Sequence, residues 1–345
     1  MPLKLGFIFF ILCKSKFKMQ KKFLKYLICP ICKGKDLSTE GIESKSSQDY
    51  IENGKINCKN CENSFPIKNS VPYMIDEVGS KFPEMSFNKQ WMLKKCKLLE
   101  PNLSSGKMPQ ERYQKILKTF NLKSFPDGSK FFDAGCGNGI NGLEVARNNQ
   151  NCLVFMTDVT YEGVIETKKK SLGLGNVFVV QSDLMNLVFE EEFFDFVWCE
   201  GVLHHTPNTY EALKSLNRSV KIEGMLYIWL YPSYRKSYYL LIRDIFFMAH
   251  KFPFWLIYLL SLVLAFPYYL FNLIFISIKK MIFPKTAPLL KKRPYLSVVF
   301  STYDSLNPKY QYRHSKEEAK AWLVNLGFES IRVVGDLGLV AKKQK

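Results

Sequence analysis

The stretch KFFDAGCGNGING, residues 130–142, decides the fold of this chain. It opens with apolar residues typical of a buried strand, and this run ends in an acid, Asp133. Gly135, Gly137 and Gly139 follow at alternate positions. Glycine tolerates positive φ and lets the backbone approach a ligand closely, and a helix N-terminus favours an anionic group. The stretch therefore predicts a strand, a ligand-binding loop and a helix in succession.

Alternating strand and helix patterns continue from this stretch to the end of the chain, which predicts an α/β sheet with parallel strands. The predicted strands are 130–134, 152–157, 176–181, 194–199 and 225–231, with a closing hairpin at 329–334 and 338–342. The predicted helices are 140–148, 161–170, 207–220 and 316–326, the third with Pro207 in its first turn and the last with Ser315 as its N-cap.

Acidic residues stand at the ends of successive predicted strands. Asp158 closes the second strand, Asp183 follows the third and Glu200 follows the fourth. The carboxyl ends of parallel strands meet at one edge of an open α/β sheet, where such folds bind ligands. An acid about 20 residues beyond the glycine loop can accept hydrogen bonds from both hydroxyls of a ribose. The sequence thus predicts a cofactor with a nucleoside part.

This order of motifs resembles the class I S-adenosylmethionine-dependent methyltransferases over residues 130–231 and 314–342. The resemblance implies a Rossmann-like seven-stranded methyltransferase sheet and S-adenosyl-L-methionine as the cofactor. It also implies a binding role for each matching residue: Asp133, Gly135, Gly137 and Gly139 for the methionyl end, Asp158 for the ribose, Asp183 and Leu184 for the adenine, and Glu200 and Gly201 beside the methyl group. The alternative, a nucleotide dehydrogenase, requires GxGxxG, and Ile140 stands where its third glycine belongs.

Two CxxC pairs lie near the N-terminus, Cys29 with Cys32 and Cys58 with Cys61, and 25 residues separate them. Four thiolates at this spacing predict a closed, tetrahedral and purely structural Zn²⁺ site. Two disulfides or four free thiols are the alternatives. The segment resembles the zinc ribbon in the small activator subunit of tRNA and translation-factor methyltransferases, which is also fused to many bacterial methyltransferases.

A segment of 27 residues without a charge, 252–278, interrupts the α/β pattern. It exceeds the ~20 residues that a membrane-spanning helix needs. Because the segments before and after it must join one sheet, a single crossing is ruled out. We expect the segment to re-enter as a hairpin divided at Pro267, or to lie in the membrane interface. A buried lid over the active site is the alternative.

The positive charge is concentrated beside apolar runs. The net charge is +18; residues 1–30 carry seven Lys and no acid, and residues 243–293 carry eight Lys or Arg and one Asp. This arrangement favours an anionic membrane surface over a nucleic acid. We therefore expect a cytoplasmic protein associated with the inner face of the membrane. The short apolar run at 5–12 predicts a weak anchor, unless translation starts at Met19.

Two adjacent histidines, His204 and His205, follow the fourth predicted strand, at the face where methyl transfer takes place. A histidine suits the role of general base for a hydroxyl acceptor, and His205 is the favoured candidate, whereas packing is the alternative for both. The run YDSLNPKYQYRH, residues 303–314, resembles a substrate-side segment of related bacterial methyltransferases. An ordinary connecting loop is its alternative.

The sequence predicts four parts: a basic, apolar extension at 1–26, a zinc ribbon at 27–76, a helical connector at 77–125, and a methyltransferase domain at 126–345 with a helical apolar insertion at 235–300. The predicted activity is methyl transfer to oxygen or carbon of a small-molecule or lipid-linked acceptor. The alternative is a base methyltransferase of rRNA or tRNA whose ribbon binds the substrate. The residues CEGV at 199–202 replace the Pro-Pro motif of amine-methylating enzymes, which disfavours that alternative.

Overall fold

The computed structural model describes residues 19–44, 47–75, 81–99, 109–234, 238–283 and 293–344. The apolar run at 5–12 and the basic residues before Met19 lie outside the described residues. The N-terminal part forms a small antiparallel sheet. Its strands are β1 (Met19–Gln20), β2 (Leu37–Ser44), β3 (Ser47–Cys58), β4 (Ser64–Lys68) and β5 (Val71–Met74), with a 3-10 turn at Lys21–Tyr26.

Two helices, α1 (Lys81–Lys95) and α2 (Pro109–Phe120), lead to the larger α/β part. Its strands are β6 (Lys130–Ala134), β7 (Leu153–Asp158), β8 (Val177–Ser182), β9 (Phe194–Glu200), β10 (Val220–Trp229), β11 (Phe328–Val334) and β12 (Gly338–Lys343). Its helices are α3 (Ile140–Asn148), α4 (Tyr161–Lys170), α5 (Thr209–Ser219), α6 (Tyr238–Ile245), α7 (Phe254–Ile282), α8 (Tyr295–Leu306) and α9 (Lys316–Asn325).

The seven strands of this part lie in the order β8-β7-β6-β9-β10-β12-β11. The first five are parallel, and β12 runs antiparallel to both β10 and β11. This arrangement confirms the predicted Rossmann-like methyltransferase sheet and its closing hairpin. The boundaries of the four predicted parts stay predictions.

The ribbon and the large sheet are joined by backbone pairing. Strand β5 runs parallel to β8, with Tyr73 opposite Gln181 and Met74 opposite Ser182. The cores of the two parts are also continuous, because Phe23 of the ribbon stacks on Phe178 of β8 with ring centroids 4.9 Å apart. The last strand of the ribbon therefore covers the edge of the large sheet, which the sequence did not predict.

Two details of the predicted helices are corrected by the structure. Helix α5 begins after Asn208, whose side chain accepts hydrogen bonds from the Tyr210 and Glu211 amides, so Pro207 precedes the helix and is not in its first turn. The predicted division at Pro267 is wrong, because α7 is one helix of 29 residues with that proline inside it. Proline has no amide hydrogen, so Pro267 makes no helical bond to the carbonyl of Val263, one turn earlier.

Candidate cofactor cavity and zinc centre

The loop after β6 has a backbone that requires glycine. Gly135 and Gly137 have φ of 76° and 54°. A Cβ at Gly137 would lie 2.7 Å from Cζ2 of Trp91, and one at Gly135 would lie 2.4 Å from Cγ2 of Val202. The alternate glycines therefore let the loop pass close to neighbouring side chains while its backbone stays accessible to a ligand.

Asp133, at the end of β6, fixes the turn into helix α3. Its Oδ2 accepts a hydrogen bond from the amide of Gly142 at 2.8 Å. Burial raises the pKa of this carboxyl to about 7. Asp133 and Gly139 are not among the residues that line the cavity described below. Asp133 and Gly139 therefore shape the glycine loop without lining the cavity.

Asp158, at the end of β7, is hydrogen-bonded to the glycine loop and lines the cavity. Its Oδ2 accepts from the Gly137 amide at 2.7 Å, and its Oδ1 accepts from the amide and the hydroxyl of Thr160 at 2.9 and 2.6 Å. Burial raises the pKa of this carboxyl, and these hydrogen bonds act against that shift. A carboxylate has about four lone-pair positions, so about one remains for a ribose hydroxyl instead of the two bonds that the sequence predicts.

A cavity of about 370 Å³ opens at the carboxyl ends of the parallel strands. That size suits a small-molecule ligand. The structure brings most of the predicted residues together in its wall: Gly135, Gly137, Asp158, Asp183, Leu184, Glu200, Gly201 and His205.

Further lining residues were missed by the sequence reasoning. Helices α1, α2 and α8 supply six of them: Phe87, Gln90, Trp91, Arg112, Phe300 and Asp304. Asp304 belongs to the predicted substrate-side run 303–314, whereas the other five stand in no recognisable motif. The aromatic residues at 87 and 91 do have the i, i+4 spacing of one helix face, but spacing alone does not say what that face covers.

Glu200 is held in place where β9 ends. Its carboxylate forms an ion pair with Lys115 of α2. It also accepts hydrogen bonds from Asn141 Nδ2 at 3.2 Å and Trp198 Nε1 at 3.3 Å. These contacts fix the carboxylate in the cavity wall and tie α2 to the sheet.

His205 lines the cavity with a defined tautomer. Its Nδ1 lies 2.9 Å from the carbonyl oxygen of Tyr310, which can only accept, so Nδ1 carries the proton and Nε2 keeps a lone pair. The ring also packs edge-on against Phe87, with centroids 5.0 Å apart. Burial lowers the pKa of this imidazole, and the nearby Asp304 acts against that shift. His205 is therefore neutral at pH 7 and can accept a proton.

His204 is not among the cavity-lining residues. The residue is fully buried, and its ring stacks on Tyr231 with centroids 3.9 Å apart. Among the residues that the structure describes, neither of its ring nitrogens has a hydrogen-bond partner. Burial holds the pKa of this imidazole well below its usual range. His204 therefore packs against Tyr231 behind the cavity wall, while His205, the next residue of the same 3-10 turn, lines the cavity.

The segment 303–314 contributes to the cavity through Asp304. Its carboxylate accepts from Gln90 Nε2 and from the hydroxyl of Tyr231, both at 2.9 Å. Tyr303 is buried in a core cluster shared with α7. His314 is bonded to Thr209 and Glu318, away from the cavity. The segment therefore connects α8 to α1 and to the end of β10.

The four cysteines of the ribbon form a compact cluster. The Sγ atoms of Cys29, Cys32, Cys58 and Cys61 all lie within 4.8 Å of one another. The Cys29–Cys61 and Cys32–Cys58 sulfur pairs are each 3.6 Å apart. Sulfurs around a tetrahedral zinc with Zn–S of about 2.3 Å would be about 3.8 Å apart, whereas a disulfide bond is about 2.05 Å long. The donor set fits a structural Zn²⁺ ion, and the alternative of two disulfides does not fit.

Comparison with known proteins agrees with this architecture. Residues 132–228 match a family described as a methyltransferase domain, and residues 20–70 match the Trm112p-like proteins. A demethylmenaquinone methyltransferase of Staphylococcus saprophyticus is 31% identical over 127 residues, which cover 36% of this chain and 53% of that protein. A tRNA (carboxymethyluridine(34)-5-O)-methyltransferase of Arabidopsis thaliana is 31% identical over 125 residues, 35% of this chain and 29% of that protein.

Among solved structures, a SAM-dependent methyltransferase from Aquifex aeolicus is 18% identical, with a TM-score of 0.41 over 72% of this chain and 95% of that chain. The chain spans about half the length of the Staphylococcus relative. The sheet order and the family match over 132–228 support a class I methyltransferase domain, and the match over 20–70 supports a Trm112p-like zinc ribbon before it. S-adenosyl-L-methionine is the cofactor of this fold, and the cysteine cluster is compatible with structural zinc.

Proposed function

We propose that this protein transfers a methyl group from S-adenosyl-L-methionine to oxygen or carbon of a small-molecule or lipid-linked acceptor. The observation that carries the proposal is the convergence of Gly137, Asp158, Glu200 and His205 on one cavity. When bound, the cofactor supplies a methyl group that is already activated as a sulfonium. The protein therefore has to bind and align the acceptor, exclude water and remove a proton.

The cavity wall offers complementary groups for both ends of the cofactor. Arg112 lines the cavity with its guanidinium 3.4 Å from Oδ1 of Asn141, and a guanidinium suits the carboxylate of the methionyl end. The Gly137 backbone would face the methionyl end, the remaining lone pair of Asp158 the ribose, and Asp183 with Leu184 the adenine. These assignments are proposals that follow the order of the strand ends.

His205 would act as the general base for a hydroxyl acceptor. The Tyr310 carbonyl holds its Nδ1 proton, so Nε2 is the atom that takes the acceptor proton. The oxygen so activated would attack the methyl group that the bound cofactor supplies, with the cofactor's neutral thioether as the leaving group. Asp304, also in the cavity wall, favours the imidazolium form that results.

Replacing His205 should slow turnover with little loss of cofactor binding. We expect His205→Ala to lower the turnover number at least ~100-fold, the usual contribution of a positioned base. Because burial lowers the pKa of His205, the wild-type rate should be level at neutral pH and fall only at acid pH, as the imidazole becomes protonated. The rate of the His205→Ala variant should not show this fall at acid pH. His204→Phe is the matched control, since it keeps the ring that stacks on Tyr231. A near-normal rate for His205→Ala would remove His205 from this role.

The proposed activity can be tested on the full chain with methyl-labelled S-adenosyl-L-methionine. We expect binding of the cofactor in equilibrium dialysis, and transfer of label to hydrophobic extracts rather than to RNA. The product pair of methylated acceptor and S-adenosyl-L-homocysteine should appear in equal amounts. Absence of cofactor binding by the zinc-loaded protein would contradict the proposal.

Membrane contact through residues 252–278 and a location at the cytoplasmic face of the membrane belong to the same proposal. Helix α7 is the one helix, among the residues that the structure describes, long and apolar enough to cross a membrane, and 11% of its most apolar window is buried.

The Staphylococcus relative is named for demethylmenaquinone, which supports an acceptor of that general kind, a small molecule rather than a macromolecule.

A base methyltransferase of rRNA or tRNA is the second candidate. Two findings favour it: the ribbon matches the Trm112p-like proteins, and the Arabidopsis relative is named as a tRNA methyltransferase. Salt-dependent binding distinguishes the two candidates, because an RNA-binding protein loses affinity steeply as salt displaces its phosphate contacts. We expect no specific RNA binding at physiological salt.

A further inference from the structure

One side of helix α7 is a continuous apolar surface. Eight of its large exposed side chains recur three or four positions apart, which places them on one side of a helix. They are Trp255, Leu259, Val263, Phe266, Leu270, Ile274, Ile278 and Met281, and we call them the α7 stripe. Phe271, Phe275 and Ile282 are exposed as well and border the stripe. Their exposure reaches 69% at Val263 and 77% at Met281. An apolar surface of this extent marks a site of interaction.

The opposite side of α7 is attached to the body of the protein, but only in its first half. Ile257, Ser261 and Ala265 are buried, one turn apart, in a core shared with α8. The hydroxyls of Tyr258 and Tyr238 donate to the carbonyls of Leu98 and Leu264 at 3.2 and 2.5 Å. Within the described stretch 266–283, no residue is buried. Tyr268 and Tyr269 still contact Tyr238 and Tyr295, and the part of α7 beyond them projects from the core, with its stripe uncovered by the residues that the structure describes.

The register of the helix distinguishes a flat from an end-on orientation in a bilayer. Val263 and Met281 are 18 residues apart, as are Ser261 and Lys279. Eighteen residues make about five turns, so Met281 lies in the stripe and Lys279 lies on the side attached to the protein. An end-on helix would carry Lys279 and Lys280 into the acyl layer at a high cost. A flat helix keeps Lys279 among the headgroups.

The charge around the stripe selects an anionic surface. Lys251 stands just before α7 and Lys279 and Lys280 in its last turn, and the sequence 245–303 contains no Asp or Glu. Cations beside an apolar helix bind anionic lipid headgroups while the apolar side chains enter the acyl boundary. Contact between two copies of this chain would instead place these like charges against each other.

Helix α8 connects the stripe to the cavity. Val298, Val299 and Tyr303 of α8 pack in the core shared with α7, and Phe300 and Asp304 line the cofactor cavity. Phe300 also packs against the core shared with α7, so it contacts both that core and the cavity. A surface that holds α7 therefore holds the cavity wall next to it.

We propose that α7 lies flat in the interface of an anionic membrane with its stripe in the acyl boundary, so that the Phe300–Asp304 wall stands beside the bilayer and receives a membrane-dissolved acceptor. The acceptor class is an amphipathic molecule, with a polar head that reaches His205 and Asp304 and an apolar tail that stays with the lipid. This inference rests on the proposed function and makes its membrane contact specific in orientation.

The test is vesicle sedimentation of the full chain with two matched charge insertions, Ile274→Glu and Asn272→Glu. Ile274 is in the stripe, and Asn272, two positions away, is on the opposite side of the projecting half. With vesicles of phosphatidylcholine and phosphatidylglycerol, we expect Ile274→Glu to weaken binding at least ~10-fold, since a charge replaces an apolar side chain that would enter the acyl boundary. Asn272→Glu should change binding less than ~2-fold. Binding to phosphatidylcholine alone should be weaker for all three proteins.

Three outcomes would overturn the inference. Equal losses for both variants would indicate an end-on or spanning helix. Wild-type binding that ignores phosphatidylglycerol would contradict the role of the cations. If the wild-type chain did not bind vesicles, and Ile274→Glu gave a smaller particle than the wild type in light scattering, the stripe would be a contact between two copies. Cofactor binding should be unchanged in both variants, which separates a failure here from a failure of the proposed activity.

Discussion

Removal of zinc should unfold the ribbon and weaken the edge of the large sheet. Structural zinc contributes on the order of 10 kcal/mol to folding of small zinc domains, and two of its ligands, Cys29 and Cys58, lie in the buried core of this ribbon. We expect chelation, or Cys58→Ser, to release one zinc per chain and lower the melting temperature of the whole protein. Cys96→Ser is the matched control, because Cys96 is exposed and outside the cluster.

Hydrogen exchange would show which strands lose structure when zinc is removed. Because β5 pairs with β8, amides at 177–182 should lose protection when the ribbon unfolds, whereas those of β9 should keep it. Unchanged protection of β8 after chelation would show that the pairing holds without the metal. Unchanged zinc content in Cys58→Ser would contradict the assignment of the metal ligands.

Gly137→Ala should abolish useful cofactor binding. Gly137 has φ of 54°, and an added Cβ would lie 2.7 Å from the Trp91 ring, so the loop or the cavity wall has to move. We expect the dissociation constant for S-adenosyl-L-methionine to rise at least ~100-fold, on the order of 3 kcal/mol, measured by calorimetry. Displacement of the loop would also break the bond from the Gly137 amide to Asp158.

Gly128→Ala provides the control for backbone strain. Gly128 also has a positive φ, 75°, but an added Cβ meets nothing within 4 Å. The substitution should cost about 1 kcal/mol in stability and leave cofactor affinity unchanged. Equal affinity of the Gly137 and Gly128 variants would contradict the role of the loop as the cofactor cradle.

The parts of the site that could be predicted from sequence are those formed by residues close together in the chain. The glycine loop and the acids at the ends of β6, β7 and β9 depend on local pattern and on the rule that parallel strands end at one edge. Their convergence on one cavity follows from the sheet order. Asp158 is a partial exception, since the bonds it makes to Gly137 and Thr160 could not be read from its position.

The rest of the site depends on packing between distant segments. Trp91 and Asp304 reach the cavity because α1 and α8 dock over the strand ends, and 213 residues separate them in sequence. The two histidines look alike in sequence, yet only His205 of the pair lines the cavity, whereas His204 is fully buried against Tyr231. Helix α7 continues through Pro267, although the proline leaves the carbonyl of Val263 without its helical partner.

The pairing of β5 with β8 has a consequence for assembly. An uncovered edge strand of a parallel sheet is a template for unwanted association, and the ribbon occupies that edge. Because both strands belong to one polypeptide, their encounter is intramolecular, with an effective concentration set by the connecting chain. Dilution cannot separate them, and each sheet carries one ribbon at any level of expression. A chain built this way has a fixed stoichiometry that two separate subunits would have to maintain by affinity.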